Sequence, residues 1–439
     1  MKKITLKLLF VTLFVSAFTC AYAQEGTYSG YSPYSVYGIG DLSNAGNAYT
    51  KSMGGIGIAN RNKRFINPLN PAAISARDTL SFMADFGFSE NNKYLAQNAF
   101  SSANNTFNIN DFILSFPIWK SSAFMVGIAQ YSDVGYDFSS IEEDPAIIGN
   151  TGNISYNAYG QGGIYQVFAG ASATFWKRLS IGAEAIYYFG TIDKVTNTEF
   201  SKSSYRTINA GYTLQLRGFT GKFGIQYEQR LGSEISVVLG ATYKPSTNMK
   251  GYSQDYSYAV MSELTDTLRN NDFKIGKESG LRFGDEIGVG LSLKGGDKWA
   301  VEFDYTRSNW HDSGFDTHKG FMVNGSGISF SSVTGQSFRA GFEFVPNRND
   351  IRYYYKRISY RAGLYHEQSY YALNGKGVTN SGITIGLTLP VFRWYNGISL
   401  GVDLGQRGSM KNDMVRERYI NFNVGFNLHD IWFQKPRYN

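Results

Sequence analysis

In Trp299-Ala300-Val301-Glu302-Phe303-Asp304-Tyr305, every second residue is large and apolar, and those between are small or acidic. Successive side chains of a strand point to opposite faces, so this segment builds a sheet with one greasy and one polar side. The pattern recurs in Ile287/Val289/Leu291/Leu293, Ile383/Ile385/Leu387/Leu389, Ile398/Leu400/Val402/Leu404 and Ile420/Phe422/Val424/Phe426/Leu428. The residues between these are mainly Gly, Ser, Thr, Asn and Asp. A helical membrane span needs ~20 consecutive apolar residues, and no run after Ala23 approaches that length. Insertion by helices is therefore excluded.

A soluble β-sandwich alternates too, but its polar face meets water and usually carries Lys, Glu and Thr. Here that face is dominated by small residues. With 49 Gly, 32 Tyr and 32 Phe against 9 Pro, the composition favours aromatic strands joined at glycines. Strands are expected near 79–88, 108–118, 122–137, 160–175, 178–191, 214–230, 234–249, 279–294, 297–308, 335–346, 357–371, 378–391, 396–408 and 416–429. That is about fourteen, an even number, as closed bacterial barrels require. Every second connection is tight, as at 120–122, 176–178, 231–233, 295–297, 347–350 and 394–396, while 138–159, 192–213, 250–278 and 309–334 read as long polar loops. Trp119, Trp176, Trp299 and Trp394 stand beside the tight turns, Trp432 follows the last strand, and only Trp310 lies at the other end. Tryptophan collects where bilayer meets water. The expected fold is an all-β transmembrane antiparallel barrel over 79–429, with long outer loops, short periplasmic turns and a periplasmic tail at 430–439.

The chain opens with Lys2, Lys3 and Lys7, an apolar stretch at 8–18, and Ala21-Tyr22-Ala23 before Gln24. This is the pattern of a cleavable signal peptide over 1–23. Thr19 fits poorly before a lipidated Cys20, so lipoprotein processing is disfavoured. Cleavage removes Cys20, the single cysteine, and three lysines, taking the formal charge from +7 to 7 − 3 = +4. So small an excess is no argument for nucleic acid. No cofactor motif is evident and no catalytic residue is nominated. His311 and His318 share a predicted loop and read as solvated; His366 and His429 are isolated. Glu302, Asp304 and Asp403 are expected to face the lumen, hydrated or paired with Arg or Lys.

Residues 24–78 do not read as barrel wall. They carry Ser32-Pro33-Tyr34, Gly38-Ile39-Gly40, Met53-Gly54-Gly55-Ile56-Gly57-Ile58-Ala59 and Asn70-Pro71-Ala72. Glycine and proline break regular structure, yet the apolar content argues against a free tail. A folded plug is expected.

The glycine run followed by Asn-Pro-Ala just ahead of the first strand resembles the amino-terminal hatch of the FadL-like family, outer-membrane transporters of long-chain fatty acids and other hydrophobic compounds. The resemblance covers about 50 residues, and 32–42 have no counterpart in it. It implies a fourteen-stranded barrel, a hatch gating the lumen through Gly54, Gly55, Gly57, Asn70, Pro71 and Ala72, and sideways exit at a kink in the third strand. Ser132, Asp133 and Gly135 break the alternation of that strand and suit such a kink; they equally fit its plain outer end. The implied partners are outer-membrane lipid, lipopolysaccharide and a hydrophobic small molecule. Some members act as shuttles for exported proteins in type IX secretion, so secreted proteins form an alternative, as does a structural or binding barrel. An open porin is disfavoured by the plug, and an enzyme by the missing site.

Overall fold

In the computed structural model, residues 30–431 are described apart from 45, 79, 99, 262–263, 322–327, 392–395 and 412–413. The signal peptide, the tail beyond 431, and Trp394 and Trp432 lie outside the described residues.

Fourteen antiparallel strands close into a barrel. They are β1 (Ser81–Gln97), β2 (Phe100–Trp119), β3 (Ser122–Ile141), β4 (Ile154–Phe175), β5 (Leu179–Phe200), β6 (Thr207–Arg230) and β7 (Ile235–Lys244), followed by β8 (Asp285–Gly295), β9 (Trp299–Asn309), β10 (Thr334–Phe344), β11 (Ser359–Leu373), β12 (Lys376–Pro390), β13 (Gly397–Arg407) and β14 (Arg416–Ile431). Each pairs with the next, and β1 closes the ring on β14 from Ser81↔Ile431 to Ala96↔Arg416. Closure pairs each strand with both neighbours except between β2 and β3 above Asp111↔Ala129; in lipid an unpaired backbone group would cost several kcal/mol.

The alternation read from sequence divides inside from outside. Ile287, Val289, Phe303, Phe342, Leu364, Ile383 and Ile385 are 44–59% exposed on the outer wall, whereas Glu302, Asp304, Thr384 and Asp403 are 0–6% exposed on the inner one. Trp119 and Trp176 project at the rim of tight turns, 76% and 82% exposed. By the rule for bacterial barrels that rim is periplasmic.

The other end differs from expectation. β2 begins at Phe100 rather than near 108, and β3 to β6 run 20–24 residues, so the loops expected at 138–159 and 192–213 shrink to 142–153 and 201–206. The loop expected at 250–278 holds a hairpin, Lys250–Met261 with Leu264–Ile275, whose first strand extends the outer half of β6. The cause is solvent. Hydrophobic alternation marks only the length of strand that meets lipid, and beyond the membrane both faces are polar. At the outer end Asn98 adopts a positive φ just after β1, and between β11 and β12 Asn374 and Gly375 both do, the pairing a two-residue hairpin requires. Conversely, the turn expected at 347–350 extends over 345–358 and includes a 3-10 turn, Tyr354–Arg357.

Candidate functional site

Residues 30–78 run inside the ring of strands as a floor, 46–76, and a strap above it, 30–44. The floor begins with a one-turn helix, Ala48–Lys51, whose N-cap Asn47 accepts from Thr50 N–H. Gly54 and Gly55 follow with φ of +76° and +73°, which side chains other than glycine adopt at a cost. The turn they make aims successive amides at the wall. Gly54 N–H donates to Thr384 Oγ1 at 2.7 Å, and Gly57 and Ile58 N–H both donate to Asp304 Oδ2, at 2.7 and 2.9 Å. Arg339 donates to Gly55 O at 3.1 Å. Asp304 thus binds backbone rather than a cation.

Asn70 is fully buried and caps the 3-10 helix Pro71–Ala76, accepting from Ala72 N–H at 2.9 Å. Its amide donates to Ile58 O at 2.7 Å, tying the tripeptide to the glycine run. The wall makes room for it. A Cβ on Gly182 would strike Pro71 O, and one on Gly224 would strike Asn70 Oδ1; these two glycines face each other across the β5–β6 ladder. Gly363 accommodates Gly54, Gly386 and Gly401 accommodate Ser52, and Gly425 accommodates Ala48. The glycines of the inner face are therefore the seats of the floor.

The strap meets an interruption in the wall. β2 pairs with β3 from Trp119↔Ser122 up to Asp111↔Ala129 and no further. Above that level β2 stays with β1, while β3 continues along β4 to Ile141↔Ser155 with its register slipping between Gln130 and Ser132. The exposed edge of β3 is taken by the strap: Asp41↔Asp133 and Leu42↔Ser132 pair antiparallel. Ser32 N–H donates to Gly135 O at 2.8 Å and Ser43 N–H to Tyr131 O at 2.9 Å. Ser132, Asp133 and Gly135 thus sit buried beneath the strap, inside a strand that runs six residues beyond Gly135.

Charge latches the strap. Asp41 Oδ1 lies 2.7 Å from Arg407 Nη1, Arg407 faces Glu417 at 3.8 Å, and Ser32 Oγ donates to Glu417. The guanidinium stacks on the Tyr34 ring at 4.8 Å. Burial works to raise the Asp41 carboxyl, but Arg407 and Lys93 outweigh it and hold the group below its usual range. Lys194 Nζ donates to Val36 O at 2.7 Å and Gly38 O at 3.2 Å. None of these partners was legible: Arg407 lies 366 residues from Asp41 along the chain (407 − 41), and the strap resembled nothing.

Above the strap, Phe283, Trp310, Phe315, Phe321, Tyr370 and Tyr371 pack with the strap's own Tyr37 to 0–7% exposure as an aromatic cap, with Trp310 and Tyr370 ring centres 4.8 Å apart. Between cap and floor lies a chamber of about 430 Å³ lined by polar, charged and apolar groups in comparable measure. Apolar surface gathers in the cap and along the interrupted wall, where Phe107, Ile109 and Ile141 are 59–67% exposed.

A family model described as BamG matches residues 1–439. No curated protein sequence matches the chain. Among solved structures, the toluene transporter TbuX of Ralstonia pickettii superposes with a TM-score of 0.58 at 13% identity, covering 87% of this chain and 97% of its own. The Pseudomonas putida toluene transporter TodX gives 0.56 at 13%, covering 92% and 100%, and a FadL homologue of Pseudomonas aeruginosa gives 0.52 at 9%, covering 90% and 100%. At such identity the likeness is one of fold.

Proposed function

The chain belongs to the BamG family, and from that premise and the form of its wall we propose that it is a gated outer-membrane barrel passing hydrophobic compounds sideways. The carrying observation is the ladder broken above Asp111↔Ala129, with the vacancy held by the chain's own strap. A hydrophobic molecule adsorbs among the aromatic outer residues, displaces the strap and leaves between β2 and β3 into lipid. The chamber beneath supports this route, since a hydrocarbon moving straight down would have to pass a lining that carries fourteen charged side chains and strip their water. The glycine run and Asn70-Pro71-Ala72 hold the floor shut meanwhile.

Opposed residues on antiparallel strands lie ~4.5–5.5 Å apart at Cα, within disulfide reach. Leu42→Cys with Ser132→Cys therefore locks strap to wall when oxidised. Uptake of a hydrophobic probe such as toluene by cells should fall severalfold on oxidation and return on reduction, with barrel abundance constant. Equal uptake in both states removes the gate.

A second reading, a binding or accessory barrel such as a shuttle for secreted proteins, is favoured by the tightly packed cap and by the strand Leu264–Ile275, exposed along all but its last residue. The locked variant distinguishes the two, because an accessory role does not require the strap to move.

A further inference from the structure

On the outer face of β6, Tyr227, Ile225, Phe223 and Phe219 are 41–71% exposed, while Leu214, Leu216 and Thr220 on the inner face are 0–6% exposed. At ~3.4 Å per residue and a tilt of ~40°, this outward run rises about 21 Å, most of the ~25 Å apolar band of such barrels. Arg217 is the next outward residue beyond it. Its ladder partner is Lys250, the first residue of the outer hairpin, so two exposed cations stand directly opposite each other on one face. Lys274, also exposed, pairs with Tyr252 and so lies diagonally across from Lys250. Side chains directly opposite start ~4.5–5.5 Å apart and diagonal ones ~7–8 Å, within the span of long basic side chains around one small anion. Beside Arg217 in the ladder stands Phe189, and beside Phe219 stands Tyr187; the two β5 rings stack with centres 6.1 Å apart. Acids are set back. Asp193 and Asp272 share the second outward row beyond Arg217, with Thr213 and Gln254 between them, and Asp193 accepts from Thr213 at 2.8 Å. Other cations around the hairpin are paired, Arg269 with Asp255 at 2.7 Å and Arg206 with Asp266. Arg217, Lys250 and Lys274 have no ion-pair partner among the described residues.

We propose that Arg217, Lys250 and Lys274 bind the phosphate of a lipid A-type glycolipid in the outer leaflet, its acyl chains lying along Phe219, Tyr187 and Phe189. Like charges directly opposite in a ladder repel, and an anion held between them turns that repulsion into attraction. Arginine offers phosphate oxygens a planar fork, and each lysine adds a point charge. Position selects the source of the phosphate. The cations stand where the lipid-facing run ends, on the side of the long connections, and that is the depth of the outer leaflet's headgroups. A phosphate monoester carries about −1.5 to −2 at neutral pH and matches two or three cations, whereas a phosphodiester headgroup carries a single charge. The site lies on the outer wall, away from strap and lumen. It rests on the membrane placement of the barrel and not on the sideways gate.

The test is native mass spectrometry of the whole protein in detergent, titrated with bisphosphorylated lipid A, the same lipid A stripped of phosphate, phosphatidylglycerol and inorganic phosphate. Saturable binding of phosphorylated lipid A is expected, weakening at least tenfold when its phosphates are removed. Arg217→Gln with Lys250→Gln should lose at least tenfold in affinity for the phosphorylated lipid, and dephosphorylation should then make no further difference. Lys177→Gln with Arg178→Gln, which removes the same charge at the exposed opposite rim, should bind within twofold of the parent. Heat-modifiable migration on gels certifies folding. Should the first pair misfold, Lys250→Gln alone, on the hairpin outside the barrel wall, carries the test with a loss of at least threefold. Equal binding of the two lipid A forms, or parental affinity in folded Arg217→Gln with Lys250→Gln, overturns the site. Equal affinity for phosphatidylglycerol, or displacement of lipid A by a tenfold excess of inorganic phosphate, overturns the assignment of lipid A. None of these results bears on uptake by the disulfide-locked barrel.

Discussion

At the scale of single residues, the inner face of the wall is governed by what has no side chain. Alternation placed Gly386, Gly401 and Gly425 on the polar side of their strands, and the abundance of glycine was visible as composition. Their purpose was not, because a glycine gives no sign of what approaches it from another part of the chain. Gly224 tests the seating argument, since an added Cβ meets Asn70 Oδ1, whereas one on Gly221, three residues earlier, meets nothing closer than 3.5 Å. Displacing Asn70 forfeits its cap, about 1 kcal/mol, and its buried bond to Ile58, about 0.5–1.5 kcal/mol. Gly224→Ala is therefore expected to loosen the floor by about 2 kcal/mol and raise single-channel conductance, while Gly221→Ala leaves conductance at the parent value. Planar-bilayer recordings of the pair check this, and equal conductance would show that the tripeptide is not held by the wall.

At the scale of elements, the strap is a strand of two residues that completes a wall of longer ones. It persists through its latch as well as its ladder. Breaking a fully buried pair by removing one partner costs about 3–5 kcal/mol, and with side chains still 12% and 18% exposed this latch contributes less than that. The latch also sets a pH dependence. The folded Asp41 carboxyl is held below its usual range, so it binds a proton less readily when latched than when released. Its stabilisation is fully present above the ordinary carboxylate range and is lost as pH falls through the depressed folded value. Lys93, Arg407, Glu417 and Tyr34 face the group. Protease cleavage in the strap, followed with folded barrel as the reference, should stay slow at neutral pH and accelerate several-fold in strong acid. Asp41→Asn should cleave rapidly at both, and a wild-type rate in that variant would sink the latch. Sequence named Ser132, Asp133 and Gly135 as a place where the strand changes character, because lost alternation is a local signal. It could not name the strap as their partner, because pairing between segments about 90 residues apart leaves no local trace.

At the scale of the whole molecule, the barrel was legible to the extent that lipid wrote it. Wherever a strand crosses hydrocarbon, one face must be apolar, and β9, β12, β13 and β14 were placed within two residues of their observed ends, whereas β8 was placed to one residue at its periplasmic end and begins six residues later than expected at the other. Where strands rise into water the requirement lapses, and the outer ends of β1 to β6 and the hairpin at Lys250–Ile275 went unread. The same reasoning separates two surfaces that exposure alone equates. Ile385 on β12 is 59% exposed and Leu268 on the outer hairpin 61%, yet the first is argued to face acyl chains and the second water. Arginine on the lipid face of a barrel costs about 2–4 kcal/mol near the membrane midplane and little outside it. Urea unfolding of the protein folded into phospholipid vesicles should therefore show Ile385→Arg destabilised by about that amount and Leu268→Arg within about 0.5 kcal/mol of the parent. Similar losses at both positions would mean that the outer hairpin lies in the membrane, and the boundary drawn across β6 between its lipid-facing and water-facing halves would have to move outward.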